Sequence, residues 1–241
     1  FEVQIDDVET SHSLGYSLAY TVPGLSVTAS SHRTWLTNMA YADGDVAVGA
    51  EAIFKNAHAE YKIWANDVVL SWDVFANWNV QLSYENFSLQ DDYKFRLPAA
   101  AIEQRARLAS DWHFGNWEFV NTFTWVGARD LSRYNYGQHY RTFKDVADGL
   151  GGFIQEVDQR KNLAAPSFVT WDVYLGWKWK KEVSFFASVQ NLLDFTQASY
   201  GDSPLNWASH GGDASHFHLD NNHTWGPLRG RLFSVGLKAE L

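Results

Sequence analysis

The sequence predicts an all-β fold, an antiparallel transmembrane β-barrel wall of about ten strands. Three observations predict it. Apolar residues recur at every second position over most of the chain, aromatic residues are abundant, and tight turns alternate with long polar connections. A two-residue period gives each ribbon two different faces, and a barrel in lipid needs one oily face and one polar face.

The first 55 residues carry this period weakly. Leu14–Thr21, Leu25–Leu36 and Val46–Phe54 read as strands, with Phe1–Glu9 as a further candidate. Beyond them the alternation sharpens. Val68, Leu70, Trp72 and Val74 stand against Ser71 and Asp73, and Val80, Leu82 and Tyr84 against Asn79, Gln81, Ser83 and Glu85. From Ile102 to Phe114 the even positions include Ile102, Ala106, Leu108, Trp112 and Phe114, and the odd ones Glu103, Arg105, Arg107, Asp111 and His113. Trp117, Phe119, Phe123 and Trp125 then alternate with Glu118, Thr122 and Thr124. Val169, Trp171, Val173, Leu175, Trp177 and Trp179 face away from Thr170, Asp172, Gly176 and Lys178. Val183, Phe185, Ala187 and Val189 repeat the pattern, as do Phe233, Val235, Leu237, Ala239 and Leu241.

Ala76-Asn77-Trp78, Gly115-Asn116 and Lys180-Lys181-Glu182 are tight turns, whereas the stretches near 86–100, 130–165 and 196–228 are long polar excursions. Such loops are uncommon in compact soluble domains, but outer-membrane barrels have short turns at one rim and long loops at the other. A soluble β-sandwich also alternates. Charge gathered on the polar faces counts against it, and so do Trp112, Trp117, Trp177 and Trp179 near strand ends, where membrane-interface girdles place aromatics.

Composition narrows the function. The 19 Lys and Arg against 28 Asp and Glu leave a formal charge of −9, the wrong sign for a nucleic-acid partner. With no cysteine there is no disulfide, thiolate zinc site or thiol nucleophile. No apolar run of about 18 residues predicts a membrane helix. The mean hydropathy of −0.32 is compatible with a barrel, since only alternate residues meet lipid. No Gly-x-Ser-x-Gly elbow or phosphate loop is present, so no enzyme is expected. No domain boundary interrupts residues 1–241.

Several short motifs carry a family resemblance. Asn191-Leu192-Leu193-Asp194 resembles the Asn-Leu-Phe-Asp-type motif that closes the penultimate strand of TonB-dependent outer-membrane receptors. Asp202-Ser203-Pro204-Leu205 follows in the loop, and Trp225-Gly226-Pro227-Leu228-Arg229-Gly230-Arg231 resembles the family's approach to the final strand. Leu97-Pro98 and Val126-Gly127-Ala128-Arg129-Asp130 are similar to other barrel positions, and the terminal Ser234-x-Gly236-x-x-Ala239-x-Leu241 resembles an assembly signal. It ends in Leu where an aromatic is usual. The resemblance runs from about Asn56 to Leu241 and is strongest after Pro166.

The resemblance implies the C-terminal portion of a receptor barrel of about 22 strands, with the plug domain and TonB-contact motif outside this chain. A second chain completing the ring and a self-contained ten-strand barrel remain open. Implied partners are outer-membrane lipid, the plug or that second chain, TonB through the plug, and a small-molecule or metal-chelate ligand. The implied function is active import of a ferric siderophore or other metal chelate. A porin-like or structural barrel with passive conduction is the alternative, and a secreted soluble β-rich enzyme the third reading.

Two groups of side chains are candidate functional residues. Glu103, Arg105, Arg107, Asp111, Asp172 and Lys178 face the lumen if the apolar rows face lipid, and there they can contact a plug or simply line a solvated wall. His210, Asp213, His216, His218 and His223 lie in one loop and offer imidazole and carboxylate ligands for zinc, copper, nickel or iron. The reading requires no cofactor, and this loop is the candidate site for a bound divalent ion. The plainer readings are a polar loop, with His223 part of the approach to Trp225. Tyr134–Tyr140 reads as an exposed aromatic loop, more readily packed on its neighbours than ligand-binding.

Overall fold

The computed structural model describes residues 2–43, 53–97, 100–134, 141–147, 153–160, 164–200, 205–207, 217–219 and 224–239. Alternation along the chain becomes sixteen strands among these residues. The first seven are β1 (Glu2–Gln4), β2 (Thr10–Val22), β3 (Leu25–Asp43), β4 (Ile53–Phe75), β5 (Trp78–Leu89), β6 (Gln104–Phe114) and β7 (Trp117–Val126). A short helix, α1 (Asp91–Arg96), sits between β5 and β6. Then come β8 (Arg129–Asp130), β9 (Arg141–Ala147), β10 (Phe153–Arg160), β11 (Ala164–Ala165), β12 (Phe168–Lys180) and β13 (Val183–Gln190). The last three are β14 (Leu205–Trp207), β15 (Phe217–Leu219) and β16 (Leu232–Ala239).

Nine strands form one antiparallel meander in the order β16-β13-β12-β7-β6-β5-β4-β3-β2. β4 outlasts β5, whose last pair is Ile63↔Leu89, and β1 takes the vacated edge in parallel. The register turns the period into continuous rows. Val27, Leu70, Leu82, Leu108, Phe123 and Trp171 lie directly opposite one another across six strands. One residue along, Thr28, Val69, Ser83, Arg107, Thr124 and Thr170 form the neighbouring row on the other face.

The oily rows are not covered by protein. Leu82 is 48% exposed, Leu108 41% and Val235 84%. In water a patch of this extent carries a penalty of about 25 cal/mol per Å², which hydrocarbon removes. The buried apolar residues gather instead at the loop end, around Ala100, Leu131, Tyr134, Ala165 and Trp225. No second layer of described residues packs on the sheet, so the sandwich reading fails.

Tryptophans mark the two edges of the oily band. Trp64 and Trp72 on β4, and Trp117 and Trp125 on β7, are spaced eight residues apart on the outer face. At about 3.4 Å per residue and about 40° tilt, that spans about 20 Å, near the height of a barrel's apolar band.

The short turns lie at one rim. Gly24 (φ 79°) and Gly115 (φ 59°) occupy left-handed positions that a tight reversal requires. Three of these turns are pinned by the strand beside them: Asp73 N donates to Gly24 O, His113 N to Asn77 O and Lys178 N to Asn116 O, all at 2.8 Å. The strand ends from which the longer connections leave, at Asp43, Leu89, Val126 and Gln190, are at the opposite rim.

Several strand limits differ from the sequence reading. Val46–Gly49 and the rest of 44–52 lie outside the described residues, while Ile53 and Phe54 open a 23-residue β4 that continues through the Val68–Val74 segment. β3 extends to Asp43 past a bulge at Asn38, whose φ is 56°. The first segment yields β1 alone before β2. Pairing with an already formed neighbour stabilises backbone that lacks clear alternation, so β4 extends through Asn56, Ala57 and His58. The excursions also carry their own hairpins, β9 with β10 and β14 with β15.

Candidate functional site

The wall opposite the oily rows holds Arg105, Arg107, Asp111, Asp172 and Lys178, as alternation requires. Their surroundings differ. Arg105 Nη2 meets Glu85 Oε2 across the β5–β6 pair at 2.6 Å, and Asp67, beside Glu85, accepts from Ser30. Arg107 is exposed and has no ion-pair partner among the described residues. Asp172 Oδ1 accepts a 2.8 Å hydrogen bond from Asn191 N, so this carboxylate anchors the end of β13. Lys178 is exposed near the short-turn rim.

Glu103 lies just before β6 and belongs to a buried knot at the base of the long loops. Its Oε2 receives Lys94 Nζ at 2.7 Å and its Oε1 the Tyr134 hydroxyl at 2.8 Å. Tyr134 is fully buried among its neighbours, in line with the packed reading of this aromatic stretch, while residues 135–140 lie outside the described residues. Burial, then the bond to Glu103, pushes the Tyr134 phenol well above its ordinary range, so it remains a neutral donor. Asp130, exposed beside this knot, caps the following turn by accepting from Ser132 N at 3.1 Å. The Ser132 hydroxyl bond holds the Asp130 carboxyl below its usual range, so this cap is lost only in strong acid.

Arg129 on β8 joins this knot to the last connection. Its buried guanidinium donates to Ala100 O at 3.1 Å and to Trp225 O. Trp225 packs on Phe168, Phe195 and, edge-on at 5.8 Å, Tyr200. Gln197, wholly buried, accepts from Trp225 N at 2.9 Å and Gly226 N at 3.2 Å through Oε1, and its own N donates to Pro227 O at 2.9 Å.

The Asn191–Asp194 motif is a turn that ties three segments together. Asn191 and Asp194 take positive φ values of 50° and 59°, which Asn and Asp tolerate better than bulkier residues. Asn191 Nδ2 donates to Phe195 O at 2.7 Å and Arg229 O at 3.2 Å, and Asp194 Oδ1 accepts from Arg231 N at 2.7 Å. A Cβ on Gly230 would stand 2.6 Å from that same Oδ1. Gly230→Ala is therefore expected to cost about 1–3 kcal/mol by forcing the carboxylate off Arg231. Urea titration of the folded receptor in lipid measures it; an unchanged midpoint rejects the close packing.

His210, Asp213, His216 and His223 lie outside the described residues. His218 lies in β15, paired with Asn206, and its side chain is likewise outside them.

A hydrogen-bonded wall with one bare oily face, a polar opposite face and the longer connections leaving from one rim defines a section of a transmembrane β-barrel. The chain belongs to the TonB-dependent receptor-like β-barrel family, whose model matches residues 7–192. No curated protein matches the sequence. Similar solved structures include the copper transporter OprC, 15% identical over 96% of this chain and 31% of that one, with a TM-score of 0.62. The FrpB iron transporter from Neisseria meningitidis is 14% identical over 98% and 32%, with a TM-score of 0.61. A mutant of the ferric enterobactin receptor PfeA from Pseudomonas aeruginosa, in complex with enterobactin, is 15% identical over 96% and 31%, with a TM-score of 0.60. The chain thus spans about a third of the length of these structures, and at such identities the likeness is one of fold.

Proposed function

We propose that the chain forms the C-terminal part of the barrel of an outer-membrane receptor that imports a scarce metal chelate, a ferric siderophore first. TonB supplies the energy through a plug domain carried outside these residues. The observation that carries this reading is the two-faced wall, which is oily toward lipid and charged toward the lumen, with the longer connections leaving from one rim. Its outermost strands, β2 and β16, present backbone groups that lipid cannot satisfy, so the rest of a larger ring pairs with them. Arg107 and Lys178 are the wall charges this reading assigns to plug contact, with Asp111 on the same face beside them; Glu103 and Asp172 serve the loop bases.

The test is uptake of ⁵⁵Fe-labelled siderophores by cells carrying the full-length receptor, with and without TonB. Accumulation that needs both supports import. Steady conduction by the purified protein in a planar bilayer, with uptake indifferent to TonB, favours a passive pore instead. The cargo loop makes a separate prediction. Changing His216 and His218 together to Ala is expected to weaken Zn²⁺, Cu²⁺ or Ni²⁺ binding by about tenfold or more. Titration calorimetry that shows no change rejects the loop as a metal site.

A further inference from the structure

Away from the histidine-rich loop, at the short-turn rim, a second set of metal-binding groups converges on the lumen wall. Asp111 and His113 are two residues apart on β6 and so share the inner face, and His113 lies directly opposite Glu118 on β7. One donor atom from each of the three side chains falls within 4.8 Å of the others. We infer that Asp111, His113 and Glu118 form a divalent transition-metal site on the barrel wall. The inference rests on the barrel fold and not on what the receptor imports.

Three features support it. Asp111 Oδ1 is shut off from solvent and receives no hydrogen bond of good geometry among the described residues. The group facing it is His113 Nε2, 3.2 Å away. Two donors bound to one zinc at about 2.0–2.1 Å in tetrahedral geometry stand about 3.3 Å apart, so this pair already has the spacing of ligands on a common ion.

The second feature is rigidity. His113 N donates to Asn77 O, and Asn77 Nδ2 donates to His113 O, both at 2.8 Å, so the neighbouring turn clamps the residue from both sides. Ligands carried on clamped strands lose less freedom on binding than ligands in a loop.

The third is an open coordination position. The site borders a recess of about 260 Å³ that is also lined by Lys178, Lys181 and Lys238, with Glu182 as the one further carboxylate. Two carboxylates and an imidazole supply three protein ligands, and the recess leaves room for water or an anionic ligand, which those lysines favour. Nitrogen and oxygen donors without sulfur select Zn²⁺, Co²⁺ or Ni²⁺ over Cu(I). An Asp111–His113 ion pair with no metal affinity is the competing account.

The experiment uses the full-length receptor in detergent, with His210, His216, His218 and His223 changed to Ala to silence the loop. Zn²⁺ titrated by calorimetry is expected to bind with a stoichiometry near one. His113→Ala is expected to weaken that binding by about tenfold or more, and Glu118→Gln, which keeps shape and removes charge, to weaken it measurably. Co²⁺ absorption gives an independent reading, since visible bands reporting one imidazole and carboxylate oxygens should vanish in His113→Ala. Heat-modifiable gel mobility confirms that each variant is folded. Absence of stoichiometric binding in the loop-silenced protein, or equal affinity in folded His113→Ala, overturns the inference. Failure of siderophore uptake has no bearing on either result.

Discussion

Replacing Leu82 with Arg is expected to lower the unfolding free energy of the barrel by about 2–4 kcal/mol, the cost of a cation near the bilayer midplane. Leu82 sits in the oily row between Leu70 and Leu108, about five residues above the short turn at Asn77. At about 3.4 Å per residue and about 40° tilt, that puts it about 13 Å from the rim, near the middle of the band. Ser83→Arg, one residue along, points the same cation into the wet lumen and is expected to change stability by less than about 1 kcal/mol. Urea-induced unfolding in lipid vesicles, followed by tryptophan fluorescence, reads both. Equal costs for the two variants would remove the assignment of faces, because a single residue step exchanges lipid for water only if the wall is two-faced.

Trp225→Ala is expected to cost about 3–5 kcal/mol, the usual range for deleting a buried large aromatic. The indole is 4% exposed and holds Phe168, Phe195 and Tyr200 together, so its removal leaves a void at the meeting point of β12 and the last connection. The loss should be local as well as global. Hydrogen exchange should accelerate first around Gln197, Arg129 and the Asn191–Asp194 turn, whose bonds depend on this packing, while the centres of β5 and β6 remain protected. Trp225→Phe refills most of the space and should recover over half of the stability. If Trp225→Ala leaves exchange at the loop base unchanged, the knot is not what positions the last connection.

The site was legible to different depths. That Arg105, Arg107, Asp111 and Lys178 share the face opposite the oily rows follows from counting by two, and the register agrees. Glu103 and Asp172 passed the same count, yet they hold Lys94, Tyr134 and Asn191, because those partners arrive from distant turns that alternation does not describe. Asp111, His113 and Glu118 were within reach of sequence reasoning. Two residues i, i+2 and a third reflected through a two-residue turn share one face, and the missing step was to fold the hairpin at Gly115-Asn116 and read across it. The length of β4 was less accessible, since its first turns are stabilised by pairing with β3 and β1 and not by their own pattern.

By itself the sequence determined that the chain is a ribbon of strands with an oily side and a charged side, with tight turns at one rim and long loops at the other. Those are local properties, written in spacing and turn chemistry, and they survive any choice of register. Only the tertiary structure decided that Arg129 reaches both Ala100 and Trp225, that Asp194 closes on Arg231 above Gly230, and that Asp111 and His113 aim at one point. Each of these depends on groups far apart in the chain meeting within a few tenths of an ångström, and that distance is set by register and loop path together.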